Sequence, residues 1–151
     1  MGTRSSRGIK ERGKRSRLEV LVEDCAPGFA YEAEKLTYIY PETKKFYLPD
    51  FTKDDIVLEA KGRFTAADRK KMLLIQEQYP KKQILMIFGR PDNKLSKKSK
   101  TTYGDWCTKN NISWVGIETF QKENKKICLL LTMQQKIFGT LPILPKRKSA
   151  R

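Results

Sequence analysis

The sequence predicts an α/β domain, a mixed central β-sheet flanked by helices. Three observations carry that prediction. The middle of the chain runs strand, helix, strand, an order that folds as a sheet with helices packed on it. Gln83–Phe88 (QILMIF) is short and nearly all apolar, which suits a strand covered on both faces. Thr65, with Asp68 three residues on, has capping-box spacing ahead of an apolar-rich stretch, and that spacing marks a helix start.

The elements follow in order. Residues 1–15 hold Gly2, Gly8 and Gly13 among Ser, Arg and Lys and read as a mobile basic arm. Leu18, Leu21 and Val22 form the apolar stripe of a short helix that begins near Ser16. Pro27-Gly28 ends it. Residues 29–40 are aromatic and partly alternating, which predicts one strand. After a break at Pro41–Lys45, Phe46–Thr52 and Ile56–Ala60 read as two strands around Lys53-Asp54-Asp55. The helix capped by Thr65 runs from about Ala66 to Gln78, with Met72, Leu73, Leu74 and Ile75 as its buried side, and Pro80 closes it. Residues 89–93 are a turn, and 94–100 a lysine-rich loop. Thr102–Lys109 reads as a short helix anchored by Trp106, and Ile112–Ile117 as a last strand. The apolar cluster within 125–138 fits a helix docked on the sheet or a strand. Taken together, the chain divides into a basic arm (1–15), one domain (16–120) and a C-terminal segment with a basic tail (121–151).

Composition narrows the function. The chain has 151 residues, 32 Lys plus Arg against 17 Asp plus Glu, and no histidine. That excludes an imidazole-based nucleophilic triad and His-ligated zinc. Cys25, Cys107 and Cys128 form no C-x-x-C and read as reduced thiols. No apolar run approaches the ~18 residues of a membrane span. The basic N-terminus leads into no apolar segment, so no secretory signal is expected. Residues 1–17 hold net +6 and 141–151 net +4. Such a distribution points to a polyanion, with nucleic acid as the default.

The informative stretch is Pro49-Asp50, eight residues, then Glu59-Ala60-Lys61. Glu59 and Lys61 lie two apart on a predicted strand and so project from one face. If the hairpin turns on Asp54-Asp55 alone, residue 53 pairs with 56, and Asp50 stands opposite Glu59. Directly opposed side chains have Cβ atoms ~5 Å apart, where two carboxylates repel each other. A hard divalent cation such as Mg²⁺ relieves that repulsion and keeps positions for water and phosphate oxygens. Lys61 can then orient or deprotonate the water, or hold charge growing on the phosphate. Asp54 and Asp55 are explained by the turn itself.

Pro49-Asp50…Glu59-Ala60-Lys61 resembles the PD-(D/E)xK nuclease signature, and the wider sequence resembles the bacteriophage endonuclease I family of four-way junction resolvases. The likeness covers roughly residues 7–117. It includes Gly8-Ile9, Arg15-Ser16 with Leu18-Glu19, Leu48-Pro49-Asp50-Phe51, Glu59-Ala60-Lys61-Gly62, Asp68–Ile75 and Thr102–Cys107. The resemblance implies a restriction-endonuclease-like core within an intertwined homodimer. It implies Asp50 and Glu59 as metal-binding carboxylates, Lys61 as the active-site lysine and Glu19 as a further metal-binding acid supplied by the other subunit. It implies Mg²⁺, with Mn²⁺ able to substitute, branched DNA as substrate, and action in the host bacterial cytoplasm. The family can also place an acid where Ala30 stands, a role open here to Glu32 or Glu34. The DNA-holding cations would be Arg4, Arg7, Lys10, Arg12, Lys14 and Arg15 of the arm, and Lys94, Lys97, Lys98 and Lys100 of the loop. Two other readings stand beside this one: a nuclease for unbranched duplex, and a basic nucleic-acid-binding protein without catalysis.

Overall fold

The computed structural model describes residues 12–137, with side chains described through 134. Arg4, Arg7, Lys10 and the basic tail lie outside the described residues. The elements are α1 (Arg17–Cys25), β1 (Ala30–Tyr31), β2 (Leu36–Tyr40), β3 (Thr43–Tyr47), β4 (Phe51–Lys53), β5 (Ile56–Lys61), α2 (Ala66–Gln78), β6 (Gln83–Phe88), α3 (Tyr103–Lys109), β7 (Ser113–Gly116) and α4 (Ile117–Ile137). Five strands form a mixed sheet in the order β1-β4-β5-β6-β7, and β2 and β3 form a separate antiparallel pair. The α/β class and the mixed central sheet with flanking helices are thus as the sequence predicts. Among the described residues, no helix is long and apolar enough to cross a membrane.

Strand alternation sorts β5 and β6 onto two cores. Ile56, Leu58, Leu85 and Ile87 face one layer with Val22 of α1 and with Phe120, Ile127 and Leu131 of α4. Val57, Ile84, Met86 and Phe88 face the other, with Met72 and Ile75 of α2 and Cys107 of α3. All six residues of β6 are buried, as a strand covered on both faces must be. Glu59 and Lys61 share the parity of Val57, so they point to the α2 side.

The helix caps follow the sequence. Thr65 accepts from Asp68 N–H while the Asp68 carboxylate takes the Thr65 N–H, a complete capping box on α2, and Thr102 with Asp105 repeats it on α3. Such caps contribute about 1 kcal/mol each. On α2 only Met72 and Ile75 are fully buried, while Leu73 is exposed. Gly104 lets α3 close on Trp114, since a Cβ there would lie 2.6 Å from the indole.

Two expectations fail for one shared reason. The strand predicted over 29–40 is two strands in different sheets, and Phe46–Thr52 likewise divides into β3 and β4. Glu32 takes a left-handed φ of 44°, which ends β1, and its N–H donates to the Asp50 carbonyl at 2.8 Å. Pro49, which has no N–H to give a ladder, breaks the partner segment at the same level. The β2–β3 pair therefore leaves the main sheet and docks on α2, where Gln78 and Tyr79 bond the backbone of Ile39 and Thr37.

The cluster after 125 is helical. α4 bends at Glu123, which leaves helical φ/ψ, and it runs through residue 120, where the sequence suggested a domain boundary. Ile127 and Leu131 are buried in the same layer as Val22.

Candidate active site

The β4–β5 hairpin has the predicted register. Phe51 pairs with Leu58, Thr52 with Val57 and Lys53 with Ile56, with Asp54 at a φ of 52°, the positive φ such turns require. One step beyond the ladder, Asp50 stands across from Glu59. Because β4 begins only at Phe51, the Ala60 N–H has no backbone acceptor on that side. The Asp50 carboxylate takes it through Oδ2 at 2.8 Å. The break at Pro49 thus both frees Asp50 and fixes it.

Glu19, Asp50, Glu59 and Lys61 line one cavity of about 270 Å³, together with Arg15 and Lys71. A single chain therefore gathers all four residues proposed from the sequence. Asp50 and Glu59 are 5% and 2% exposed, a degree of burial that carboxylates reach only with partners. Glu59 receives the Tyr47 hydroxyl on Oε2 at 2.6 Å and the Lys61 ammonium on Oε1 at 3.1 Å. Lys61 also lies 3.5 Å from Asp68. Glu19 is held by the Ser16 hydroxyl at 2.9 Å, the Tyr31 hydroxyl at 2.7 Å and the Arg15 N–H at 3.1 Å. Arg15 reaches Asp50 Oδ1 at 3.3 Å and also pairs with Glu32.

The electrostatics follow from burial and crowding. Burial, with the nearby charge of Glu59 and then Glu19, pushes the Asp50 carboxyl up to about 7, against the opposing Ala60 N–H and Lys61. Burial alone would lower the Lys61 ammonium, but Glu59 and Asp68 outweigh it and the net shift is upward. Lys61 is thus kept charged, which favours holding or orienting over taking a proton. Burial and Glu59 raise the Tyr47 hydroxyl well above its ordinary value, so it remains a donor.

The donor set suits a hard divalent cation. Asp50 and Glu59 offer carboxylate oxygens, and a bound cation would offset both the burial and the Glu59 charge that raise the Asp50 carboxyl. Among the described residues no three acidic or thiol groups converge tightly enough to enclose an ion alone. Asp50 and Glu59 would therefore share it with water and phosphate oxygens.

Other predicted residues are placed as follows. Glu34 pairs with Lys82 at 2.7 Å, away from the cavity, while Glu32 stays beside it, sharing Arg15 with Asp50. Lys14, proposed for DNA, is 6% exposed. It is paired with Glu23 at 2.6 Å and lies 3.7 Å from the Tyr31 ring centre, so its charge is committed within the fold. Arg12 pairs with Asp24 at 2.8 Å. Lys94, Lys97, Lys98 and Lys100 are all exposed. Their loop follows the C-terminal end of β6, where Phe88 is level with Lys61 of the parallel strand β5, so it starts from the end of the sheet that carries Lys61.

A family model for phage endonuclease I matches residues 1–135. The chain belongs to the phage endonuclease I family. Among its relatives, the endodeoxyribonuclease 1 of Enterobacteria phage T3 is 40% identical over 116 residues, 74% of this chain and 76% of the relative. The endonuclease I of Escherichia phage T7 is 39% identical over 115 residues, 72% of this chain and 77% of the relative. As a phage endonuclease I the chain is an endonuclease, and the cavity holding Asp50, Glu59 and Lys61 is its candidate active site.

Sequence reasoning misses Tyr47, Tyr31 and the part that Arg15 plays inside the cavity. Each acts on an acid distant in sequence, through contacts made only by the tertiary fold. The sequence marks Asp68 solely as a cap, although its spare oxygen faces Lys61.

Proposed function

We propose that this endodeoxyribonuclease is metal-dependent and selective for branched DNA, resolving four-way junctions by phosphodiester hydrolysis in the bacterial cytoplasm. The observation that supports metal-dependent hydrolysis is the pair of buried carboxylates, Asp50 and Glu59, at opposed hairpin positions with Lys61 beside them, and branch selectivity rests on membership of the family. Asp50 and Glu59 would hold Mg²⁺, or Mn²⁺ in its place, with Glu19 on the same cavity wall. When bound, such an ion supplies Lewis-acid stabilisation of the charge that develops on phosphodiester oxygens.

The chain's own groups do the rest. The Ala60 N–H holds Asp50, and Tyr47 holds Glu59, so neither carboxylate has to be ordered when substrate arrives. Lys61, kept protonated by Glu59 and Asp68, would face a non-bridging phosphate oxygen and orient the attacking water. In-line attack of water at phosphorus then forms one P–O bond and breaks the bond to the 3′ oxygen; the water's proton passes to solvent and the 3′ oxygen takes one up from it, leaving a 5′-phosphate and a 3′-hydroxyl. Phosphate contacts position DNA without reading sequence, so the exposed lysines of the 94–100 loop would select for the shape of the substrate. Two matched cuts in a four-way junction suit a two-fold homodimer. Exchange of the N-terminal segment would keep the same four residues and draw Glu19 from the other subunit.

The test places a labelled four-way junction and a matched linear duplex in one tube with Mg²⁺, and the same pair in EDTA. Paired cuts near the branch, slow cutting of the duplex and silence in EDTA are expected. Equal cutting of both substrates would overturn branch selectivity, and cutting in EDTA would overturn metal dependence.

A further inference from the structure

The β2–β3 hairpin carries a feature that this chemistry does not use. Its register sets Leu36, Tyr38 and Tyr40 with Tyr47 and Lys45 on one face, and Thr37, Ile39, Lys44 and Phe46 on the other. Leu36, Tyr38 and Tyr47 belong to the core layer that includes α2. The second face is open, with Ile39 53% and Phe46 63% exposed. Among the described residues Phe46 is the most exposed large hydrophobic side chain. It also borders the cavity of the candidate active site, next to Tyr47 and Leu48.

Two lysines accompany this ring, and others line the opposite face of the hairpin. The Lys35 ammonium lies 4.6 Å from the Phe46 ring centre. On the opposite face, Lys45 and Lys70 lie 4.1 Å and 4.2 Å from the centre of the Tyr40 ring, and Lys71 lies 5.0 Å from that of Tyr47. Lys44 is exposed on the open face itself. An exposed aromatic ring with Lys35 and Lys44 on its side of the hairpin, at the border of a nuclease cavity, matches a surface that stacks nucleic-acid bases and follows the backbone with positive charge.

We infer that Phe46 is a stacking platform for a base displaced from the helix at a branch point, with Lys35 and Lys44 holding the phosphates that flank it. The inference rests on the branched-DNA reading above and gives it a specificity-determining residue. In an intact duplex both faces of each base are already stacked on neighbours. An open ring therefore finds a free π-face only where stacking is interrupted, and such a contact favours junctions over duplex without reading sequence. A purely apolar protein partner fits this patch poorly, because Lys35 and Lys44 on the same side would have to be desolvated.

The test measures binding in EDTA, using a four-way junction and a matched linear duplex, each carrying 2-aminopurine at the position of the branch. Wild type, Phe46→Ala and Phe46→Leu are compared. The side chain is exposed, so both variants should fold, as thermal melting would confirm. Wild type should bind the junction more tightly and change the probe's emission in the junction alone. Phe46→Ala should lose that change and bind the junction about ten-fold more weakly, with duplex affinity unchanged. Phe46→Leu should behave like Phe46→Ala. Full junction preference in Phe46→Ala, or its rescue by Phe46→Leu, would overturn the stacking role while leaving the branched-DNA reading intact. A wild type without junction preference would overturn that reading and the stacking role with it.

Discussion

The Tyr47 hydroxyl donates to Glu59 Oε2 at 2.6 Å, and both side chains are almost wholly buried. The bond joins the small hairpin to the main sheet at the proposed metal-binding acid. It leaves Glu59 one oxygen shared with Lys61 and limits the directions its carboxylate can turn.

Tyr47→Phe should therefore loosen the site without dismantling the fold. The substitution keeps the ring and removes one donor to a buried charge, a loss of about 1–3 kcal/mol. Lower thermal stability and about ten-fold slower junction cutting are expected, with junction binding retained. Unchanged stability and rate would show that Glu59 does not need this donor.

Asp50 makes the metal-free protein sensitive to pH. Its carboxyl is raised to about 7 in the fold against an ordinary value of 3.8. Between those values the folded chain holds a proton that the unfolded chain has released, so stability falls as pH rises through this window. Below about pH 4 the contribution is fully present, and above about 7 it is lost. Denaturation in EDTA from about pH 4 to 8 should show the decline, and Asp50→Asn should flatten it. Under the proposed function, Mg²⁺ should stabilise the protein more at about pH 8 than at about pH 5.

The hairpin register could be read from the sequence because a two-residue Asp54-Asp55 turn leaves one pairing, and that pairing sets Asp50 against Glu59. The α2 cap was equally plain, since Thr65 and Asp68 carry the box locally. Failures came where tertiary contacts override local pattern. Alternation continues across Glu32 and across Leu48, so the apolar pattern did not announce that two strands become four. Pro49 was the available clue. The helix α4 had a usable signal in Phe120, Ile127 and Leu131, which are spaced to share one helical face. Tyr31 and Tyr47 looked like ordinary strand aromatics, because a hydroxyl's partner is chosen by the fold.

Lys14 and the loop lysines should separate in their effects. Lys14 is buried between Glu23 and the Tyr31 ring, so Lys14→Ala should lower thermal stability and leave the salt dependence of DNA binding unchanged. Replacing Lys94, Lys97, Lys98 and Lys100 together by Ala should spare stability. It should also flatten log K against log salt by ~0.9 for each phosphate that the loop no longer neutralises. A reversed pattern would move the phosphate-holding surface from the loop to the N-terminal segment.

Lys61→Ala should reduce the rate of junction cutting by roughly 10²–10³, the loss expected of one charge-stabilising donor, and leave Mn²⁺ affinity, read by calorimetry, much less changed. The ammonium lies within 3.1 Å of Glu59 and is assigned to phosphate and water rather than to the ion. Equal losses in rate and metal affinity would mean that Lys61 only shapes the carboxylate pair.

Glu59→Gln bears most directly on the proposed site, because it keeps volume, the cationic surface and a partner for Tyr47 while removing one buried negative charge. The measurement is paired: cleavage of a labelled four-way junction in Mg²⁺, and binding of the same junction in EDTA. Loss of cleavage with junction affinity held or raised is predicted, since an acid that repels phosphate has been neutralised. Cleavage by Glu59→Gln at near wild-type rate would contradict the assignment of catalysis to the Asp50–Glu59 pair.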